Sequence, residues 1–185
     1  MADTIFISFY GEINPSTAKA VMDTCSNVVA QASPKRLYFL FSSGGGSVDA
    51  GMALYGFLRS LQVPLVMHNV GSVDSVANVV FLAADERYAS PHAMFLLHGI
   101  TWGFGQGARL TWTQLQETVS RFRADEDRLS RVIISRTSIT KDELTALFHQ
   151  GQTKDLAFAK DKGLIRDIAE PKIPAGSPLI TLSFA

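Results

Sequence analysis

The sequence predicts an α/β fold built on a mostly parallel sheet. Short apolar segments typical of strands alternate with longer segments whose apolar residues recur every three or four positions, as on one helix face. Residues 37–41 are apolar at every position, which is typical of a strand buried on both faces of a parallel sheet. Strands that alternate with helices in this way favour parallel pairing through right-handed crossovers.

Turn and capping signals place the elements of the first half. Asn14 and Pro15 are typical of a helix start, Pro34 ends that helix, and Pro64 opens a strand. The predicted strands are 4–10, 36–41, 65–69, 86–89 and 93–97, and the predicted helices are 16–31, 48–60 and 75–84.

The second half is predicted to be mainly helical. It begins with a glycine-rich stretch, 99–107, which indicates an extended excursion or a hairpin. Thr140 and Glu143 form a capping box that opens one helix, and Gly163 is a suitable C-cap for another. The remaining predicted elements are a long helix at 110–136, a short helix at 155–162, a strand-like segment at 164–168 and an apolar run at 179–184.

Length and charge limit the function classes. The 185 residues suffice for one domain with a hydrophobic core, and we expect a single domain, 1–185, that ends in a tail, 171–185, with three prolines. The 17 basic residues balance 17 acidic ones, so nothing favours binding to nucleic acid or to an anionic membrane. We expect neither as a partner.

The cysteine content and the N-terminus predict the compartment. Cys25 is the only cysteine, which precludes an internal disulfide and favours a reducing compartment. The first residues lack the features of a signal peptide, and no apolar run reaches the ~18 residues of a membrane span. These observations predict a soluble, cytoplasmic protein. No metal-ligand spacing is present, and we expect no metal and no other cofactor.

Three segments together supply the groups needed for acyl transfer. Three consecutive glycines, 44–46, follow a buried strand and allow backbone N–H groups to approach a ligand closely. Ser75 precedes an apolar run and offers a nucleophile, and His98 ends another apolar run and offers a base. Each has an ordinary alternative: a tight turn for the glycines, an N-cap for Ser75 and a structural role for His98. A phosphate-binding turn is disfavoured because the characteristic lysine is absent.

In this order and spacing, the segments resemble the proteolytic subunit of the Clp protease family, serine peptidases of the crotonase-like fold. Residues 43–46 resemble the family's S-P-G-G turn, 71–77 resemble G-x-A-A-S-M-G, and 96–98 resemble a strand that ends in M-I-H. Residues 49–55 resemble the helix T-A-G-M-x-I-Y, and 103–108 resemble the hairpin G-x-x-G-x-A. The resemblance extends over most of the chain.

The resemblance implies a fold and a set of roles. The fold would be a repeated β-β-α spiral with a mostly parallel sheet and a protruding handle made by helix 110–136 and the hairpin before it. Ser75 would be the nucleophile and His98 the general base. Gly46 and Val76 would donate the N–H groups of the oxyanion hole.

The resemblance also implies partners. A peptide substrate would bind as an added strand beside residues 45–48 and the hairpin. Subunits would form homo-oligomeric rings that stack through the handle, where Trp102 and Phe104 are expected to be exposed. The sequence begins almost at its first strand, without the family's axial loop and first helix, which argues against docking to an ATP-driven unfoldase.

The family's catalytic triad consists of a serine, a histidine and an aspartate, and this sequence departs from it at the aspartate. Counting back from residues 159–164, the position of the family's aspartate falls on Gly151, between Gln150 and Gln152. The nearest downstream carboxylate is Asp155, in the following helix. The third member is therefore absent, or it is replaced by one of these side chains or by a backbone carbonyl. Loss of this carboxylate can cost on the order of 10⁴ in turnover.

Two further departures from the family pattern lie within the motifs. Gly44 stands where the family has proline, and Asp74 places a carboxylate next to Ser75.

Three hypotheses for the function compete. The leading hypothesis is a serine peptidase with an altered triad. The second is a catalytically weak or inactive subunit with an assembly or regulatory role. The third is a crotonase-type acyl-CoA enzyme, which leaves Ser75 and His98 poorly explained.

Overall fold

A mostly parallel sheet forms the centre of the computed structural model, which describes residues 3–184. The strands are β1 (Thr4–Tyr10), β2 (Arg36–Ser43), β3 (Leu65–Asp74), β4 (Glu86–Ala89), β5 (Met94–Leu96), β6 (Thr153–Lys154), β7 (Asp167–Ile168) and β8 (Leu179–Leu182). The helices are α1 (Pro15–Ala32), α2 (Val48–Ser60), α3 (Ala77–Phe81), α4 (Trp112–Arg136), α5 (Lys141–Gln150) and α6 (Leu156–Asp161).

The strand order is β6-β5-β3-β2-β1-β8, with β4 and β7 attached beside β3. Every described pair is parallel except β5 with β6. The first half of β3 pairs with β4, and its last three residues pair with β5. The carboxyl ends of β2, β3 and β5 therefore converge at one edge, where ligands bind in parallel sheets. The predicted α/β fold with a mostly parallel sheet is confirmed.

The inner face of the sheet is apolar and carries α3. Phe41, Phe81 and Phe95 are almost fully buried. The Phe81 ring of α3 packs edge-on against Phe95, with 5.5 Å between ring centroids, and lies 6.4 Å from Phe41. Burying side chains of this size stabilises the fold by about 1.5–3 kcal/mol each. This packing holds the short α3 directly behind the ends of β2 and β5.

The other face of the sheet carries a row of rings across four adjacent strands. Phe6, Tyr38, His68 and Tyr88 follow one another with centroids 5.2, 6.0 and 6.2 Å apart. The Nδ1 atom of His68 hydrogen-bonds with the Tyr38 hydroxyl at 2.6 Å, and its Nε2 atom lies 3.4 Å from the Ser90 hydroxyl. Burial lowers the pKa of His68.

Several predicted boundaries were wrong. β3 continues to Asp74 instead of ending at residue 69, because pairing with β5 extends a segment whose glycine and polar residues do not look like a strand. The predicted helix 75–84 is confined to Ala77–Phe81, since an uninterrupted apolar run does not mark its own ends. The strand-like segment 164–168 pairs only at its last two residues, and β6 was not predicted.

The glycine-rich region before α4 was predicted to be either an extended excursion or a hairpin. Residues 99–111 include no strand, so the segment is the extended excursion and not a hairpin, with one turn closed by a hydrogen bond from Ala108 to Gly105. Helix α4 buries Leu129 and Ile133, whereas Leu115 and Val119 in its first half are exposed. No described helix is long and apolar enough to cross a membrane.

Candidate active site

Ser75 occupies a strained turn between β3 and α3. Its φ is 57°, in the left-handed region, where a residue other than glycine costs about 1–3 kcal/mol. Its N–H donates to the carbonyl of Leu96 at 2.9 Å, and its own carbonyl accepts from the Asn78 N–H at 3.1 Å. The N-cap of α3 is Val76, and no side-chain capping bond is made there. Ser75 is thus not an ordinary N-cap, and the turn resembles the strained strand-to-helix elbow that presents nucleophilic serines.

The glycine turn packs directly against Ser75. A Cβ atom on Gly45 would lie 2.7 Å from the Ser75 Cβ and 3.3 Å from its Oγ. A Cβ atom on Gly46 would lie 2.2 Å from the Ile13 carbonyl oxygen, and the φ of Gly46 is +138°. Neither contact leaves room for a side chain. The absence of side chains is therefore what lets the two segments meet.

Ile13 clamps one edge of this turn. Its N–H donates to the Gly45 carbonyl and its carbonyl accepts from the Ser47 N–H, both at 2.7 Å. The Gly45 carbonyl and the Gly46 N–H belong to one trans peptide unit and point in opposite directions, so the Gly46 N–H faces away from Ile13. Among residues 3–184, neither this N–H nor that of Val76 has an acceptor. Two unoccupied donors on either side of a serine are the components of an oxyanion hole.

Helix α2 fixes the position of Val76. A Cβ atom on Gly51 would lie 2.3 Å from a methyl carbon of Val76, so the two backbones approach closely. Helix α2 begins beside the glycine turn, where the Ser47 hydroxyl accepts from the Ala50 N–H at 3.3 Å. One rigid helix thus holds both predicted oxyanion donors.

His98 is brought to this corner through Leu96. The Asn78 side chain donates to the carbonyls of both Ser75 and Leu96, at 3.1 and 2.9 Å, so the end of β5 is tied to the serine turn. The His98 ring is half-buried, and its Nδ1–H donates to the Gly99 carbonyl at 2.6 Å. This bond leaves Nε2 as the acceptor nitrogen. No hydrogen bond joins the Ser75 hydroxyl to His98 in the described part of the chain.

Helix α5 ends beside His98 without a carboxylate. The Gly99 N–H donates to the Phe148 carbonyl in the last turn of this helix, at 3.2 Å. Gly151 is the C-cap, with φ 55°, and a Cβ atom there would have no neighbour within 4 Å. Position 151 is therefore exposed and open.

The other candidates for a third member have different surroundings. The Gln150 amide oxygen accepts from the Lys154 ammonium at 3.1 Å. The Asp155 carboxylate caps α6 by accepting from the Phe158 N–H at 2.8 Å. Gln152 is exposed. The acceptor that the structure gives to the His98 Nδ1–H is the Gly99 carbonyl, one of the alternatives considered from the sequence.

Asp74 and Asn78 are two polar residues that flank Ser75 in sequence. Asp74 is half-buried, and its Oδ1 atom is buried without a hydrogen-bond partner among the described residues. Asn78 is 1% exposed and was missed from the sequence, although a lone amide inside the apolar run 76–84 is a usable signal. Residues 101–110 are exposed throughout.

The described residues include no group of three or more His, Cys, Asp or Glu side chains that could hold a metal ion. The chemistry available at this corner is that of a hydroxyl, an imidazole and oriented backbone N–H groups. This arrangement can support nucleophilic attack on a carbonyl carbon.

Comparisons with known proteins agree on one family. The sequence model described as Clp protease matches residues 1–172. The ATP-dependent Clp protease proteolytic subunit 2 of Treponema pallidum is 25% identical over 172 residues, which cover 92% of this chain and 84% of the relative. The same-named subunit of Borreliella burgdorferi is 26% identical over 164 residues, which cover 88% and 81%. A solved structure of ClpP1 from Listeria monocytogenes, an asparagine-to-aspartate mutant, has a TM-score of 0.79 at 20% identity and covers 92% of each chain.

Proposed function

The chain belongs to the Clp protease family, and on that premise we propose that it is a serine-type peptidase with Ser75 as its nucleophile. The observation that carries the proposal is the left-handed turn at Ser75, packed against the glycine turn. Strain of this kind persists only where the surrounding structure enforces it, and it concentrates at functional sites.

The proposed reaction uses four groups. The His98 Nε2 accepts the proton of the Ser75 hydroxyl as the oxygen attacks the peptide carbonyl carbon. The resulting oxyanion accepts hydrogen bonds from the Gly46 and Val76 N–H groups. His98 then protonates the leaving amine, and water hydrolyses the acyl-enzyme by the same steps in reverse. The Ser75–His98 bond, absent from the described structure, would form with substrate bound, as catalytic bonds often tighten only then.

We propose that the Gly99 carbonyl orients His98 in place of an aspartate. Its bond to Nδ1–H selects the tautomer in which Nε2 can act as base. The bond from the Gly99 N–H to Phe148 anchors this carbonyl to α5, whose C-terminal end carries a partial negative charge. Partial charges stabilise an imidazolium less than a carboxylate does. We therefore expect slow cleavage of short peptides and esters and no efficient degradation of folded protein.

The exposed apolar face of α4 supports a homo-oligomer. This face includes exposed apolar side chains of α4 and of the segment before it: Trp102, Phe104, Leu110, Trp112, Leu115 and Val119. All of them except Leu110 line two grooves of about 470 and 500 Å³. Such faces usually mark an interface. We propose that a second copy of the chain covers this face, so that rings stack through it as a handle. Light scattering at micromolar concentration should find an oligomer in the wild type and a smaller species in Leu115→Glu, and a wild-type monomer would contradict the proposal.

The compartment we propose is the cytoplasm. Cys25 is buried, and burial raises the pKa of its thiol to about 12, so it is kept as an unreactive thiol. A chain with one such cysteine fits a reducing environment.

Two observations favour a second candidate, a non-catalytic subunit of the same family. Position 151 holds a glycine, and the Ser75 hydroxyl has no bond to His98 among the described residues. The two candidates are separated by turnover of a fluorogenic peptide in the wild type and in Ser75→Ala. We expect measurable turnover that Ser75→Ala abolishes. Equal rates would exclude the peptidase and leave the non-catalytic subunit.

A further inference from the structure

The end of β3 contains an insertion that no step of the proposed reaction uses. Phe41 of β2 faces Asn69 of β3, but two residues later Ser43 faces Val73. One residue of β2 therefore lies opposite three residues of β3, 70–72, which makes a bulge of two extra residues. The bulge falls where β3 changes neighbours, because its pairing with β4 ends at Asn69 and its pairing with β5 begins at Ser72.

Ser42 closes the bulge from the side of β2. Its hydroxyl accepts from the Ser72 N–H at 3.1 Å and donates to the Ser72 carbonyl at 3.2 Å. The Ser42 side chain thus joins the two strands at the point where their register shifts. A Cβ atom on Gly71 would lie 2.8 Å from this hydroxyl oxygen, so the hydroxyl occupies the place of a side chain at residue 71.

Asn69 closes the bulge from within β3. It is 0% exposed, and both ends of its amide are used. The amide oxygen accepts from the Gly71 N–H at 3.0 Å, and the amide nitrogen donates to the Met94 carbonyl at 2.9 Å. Buried amides are costly unless satisfied. The first of these bonds lies within the bulge, and the second joins the bulge to the first residue of β5.

We infer that Ser42 and Asn69 are positioning residues that set the place of the nucleophile. The bulge they hold carries β3 from β4 to β5 and lengthens it by two residues before Ser75. The serine N–H then meets Leu96, and the serine side chain meets Gly45. The inference rests on the proposed function in taking Ser75 as the nucleophile. Neither residue touches the reacting atoms, and both act through the path of the chain that ends at Ser75.

The test compares Ser42→Ala with Ser8→Ala, a half-buried serine of β1 outside the bulge. Two quantities are measured: the rate constant of the acylation burst with p-nitrophenyl acetate, with its KM, and the amide hydrogen exchange of residues 70–77. We expect Ser42→Ala to slow the burst about tenfold or more at little-changed KM and to speed exchange in 70–77 alone. Ser8→Ala should change neither.

A second pair tests the packing of the hydroxyl against residue 71. Gly71→Ala alone brings its methyl onto the Ser42 hydroxyl and should disturb the bulge, whereas Gly71→Ala added to Ser42→Ala should cost little more. Non-additivity of this sign is expected of groups in contact. Additive effects of the two substitutions on exchange would contradict the proposed contact.

The outcomes separate this inference from the proposed function. Unchanged burst and exchange in Ser42→Ala would overturn the inference, as would faster exchange with an unchanged burst, which would make the bulge a structural feature only. If the wild type shows no burst that depends on Ser75, the proposed function fails. Exchange in residues 70–77 of Ser42→Ala then decides whether Ser42 holds the turn, and unchanged exchange overturns that claim too.

Discussion

The two sides of the candidate site are built differently. On the nucleophile side, close backbone contacts hold Ser75, and the glycines at 45 and 46 admit no side chain. On the histidine side, His98 is held through its neighbour Gly99, which bonds to the last turn of α5, and the C-cap of that helix, Gly151, is exposed and open. Backbone packing fixes the nucleophile side, whereas the histidine side lacks the carboxylate of a triad.

This difference separates what a fold maintains from what a single residue supplies. Oxyanion donors come from the main chain, so they are retained as long as the turn and α3 keep their positions. The charge that stabilises an imidazolium comes from one side chain, and a single substitution removes it without disturbing the packing. We therefore expect a site that acylates slowly and not a site that is disassembled.

The largest expected effect is on the nucleophile side. Gly46→Ala places a methyl group 2.2 Å from the Ile13 carbonyl oxygen, which displaces the predicted oxyanion donor. Peptide turnover should fall about 10²–10³-fold, as when one oxyanion donor is lost. The matched control is Gly44→Ala, which has no neighbour within 4 Å of the new methyl. Equal turnover in the two variants, both shown to be folded by circular dichroism, would contradict the assignment of Gly46.

The next effect restores charge on the histidine side. Gly151→Asp adds a carboxylate at an open position whose left-handed backbone aspartate tolerates better than most residues. We expect peptide turnover to rise about tenfold, which is a small part of the 10⁴ that such a carboxylate can contribute. Gly151→Asn keeps the shape without the charge and should give little gain. A gain of the same size in both variants would show that charge is not what this side lacks.

The smallest effect concerns His68, a buried histidine of β3. Burial lowers the pKa of His68 in the folded state, so the unfolded chain binds a proton more readily. The free energy of unfolding should be fully retained above the unfolded pKa of about 6.5 and should fall as the pH drops below it. Denaturant melts of wild type and His68→Phe between pH 5 and 8 measure this. The same slope in both proteins would assign the pH dependence to another group.

The candidate residues could be predicted from the sequence where local pattern carries the information. A glycine turn after a buried strand, a serine before an apolar run and a histidine after another are signals within a few residues of chain. The family resemblance put them in one site. The spacing of apolar residues also predicted the helix that contains Leu129 and Ile133, but it could not show which half of the apolar face is buried.

What the sequence could not supply depends on partners distant along the chain. The roles of Ser42 and Asn69 exist only because β3 changes neighbours between β4 and β5. Asn78 joins Ser75 to Leu96 across 18 residues of sequence. The acceptor of the His98 ring is a backbone carbonyl, which has no signature in the sequence.

The most direct test of the central claim is the site of labelling by a fluorophosphonate probe, which reacts with activated serines. Wild type and His98→Ala are treated with the probe, and the labelled residue is located by tandem mass spectrometry. We predict that the label is on Ser75 and that His98→Ala slows labelling about 10²-fold or more, because the general base is lost. A label on another serine, or equal labelling of Ser75 in both proteins, would contradict the assignment of Ser75 and His98 as nucleophile and base.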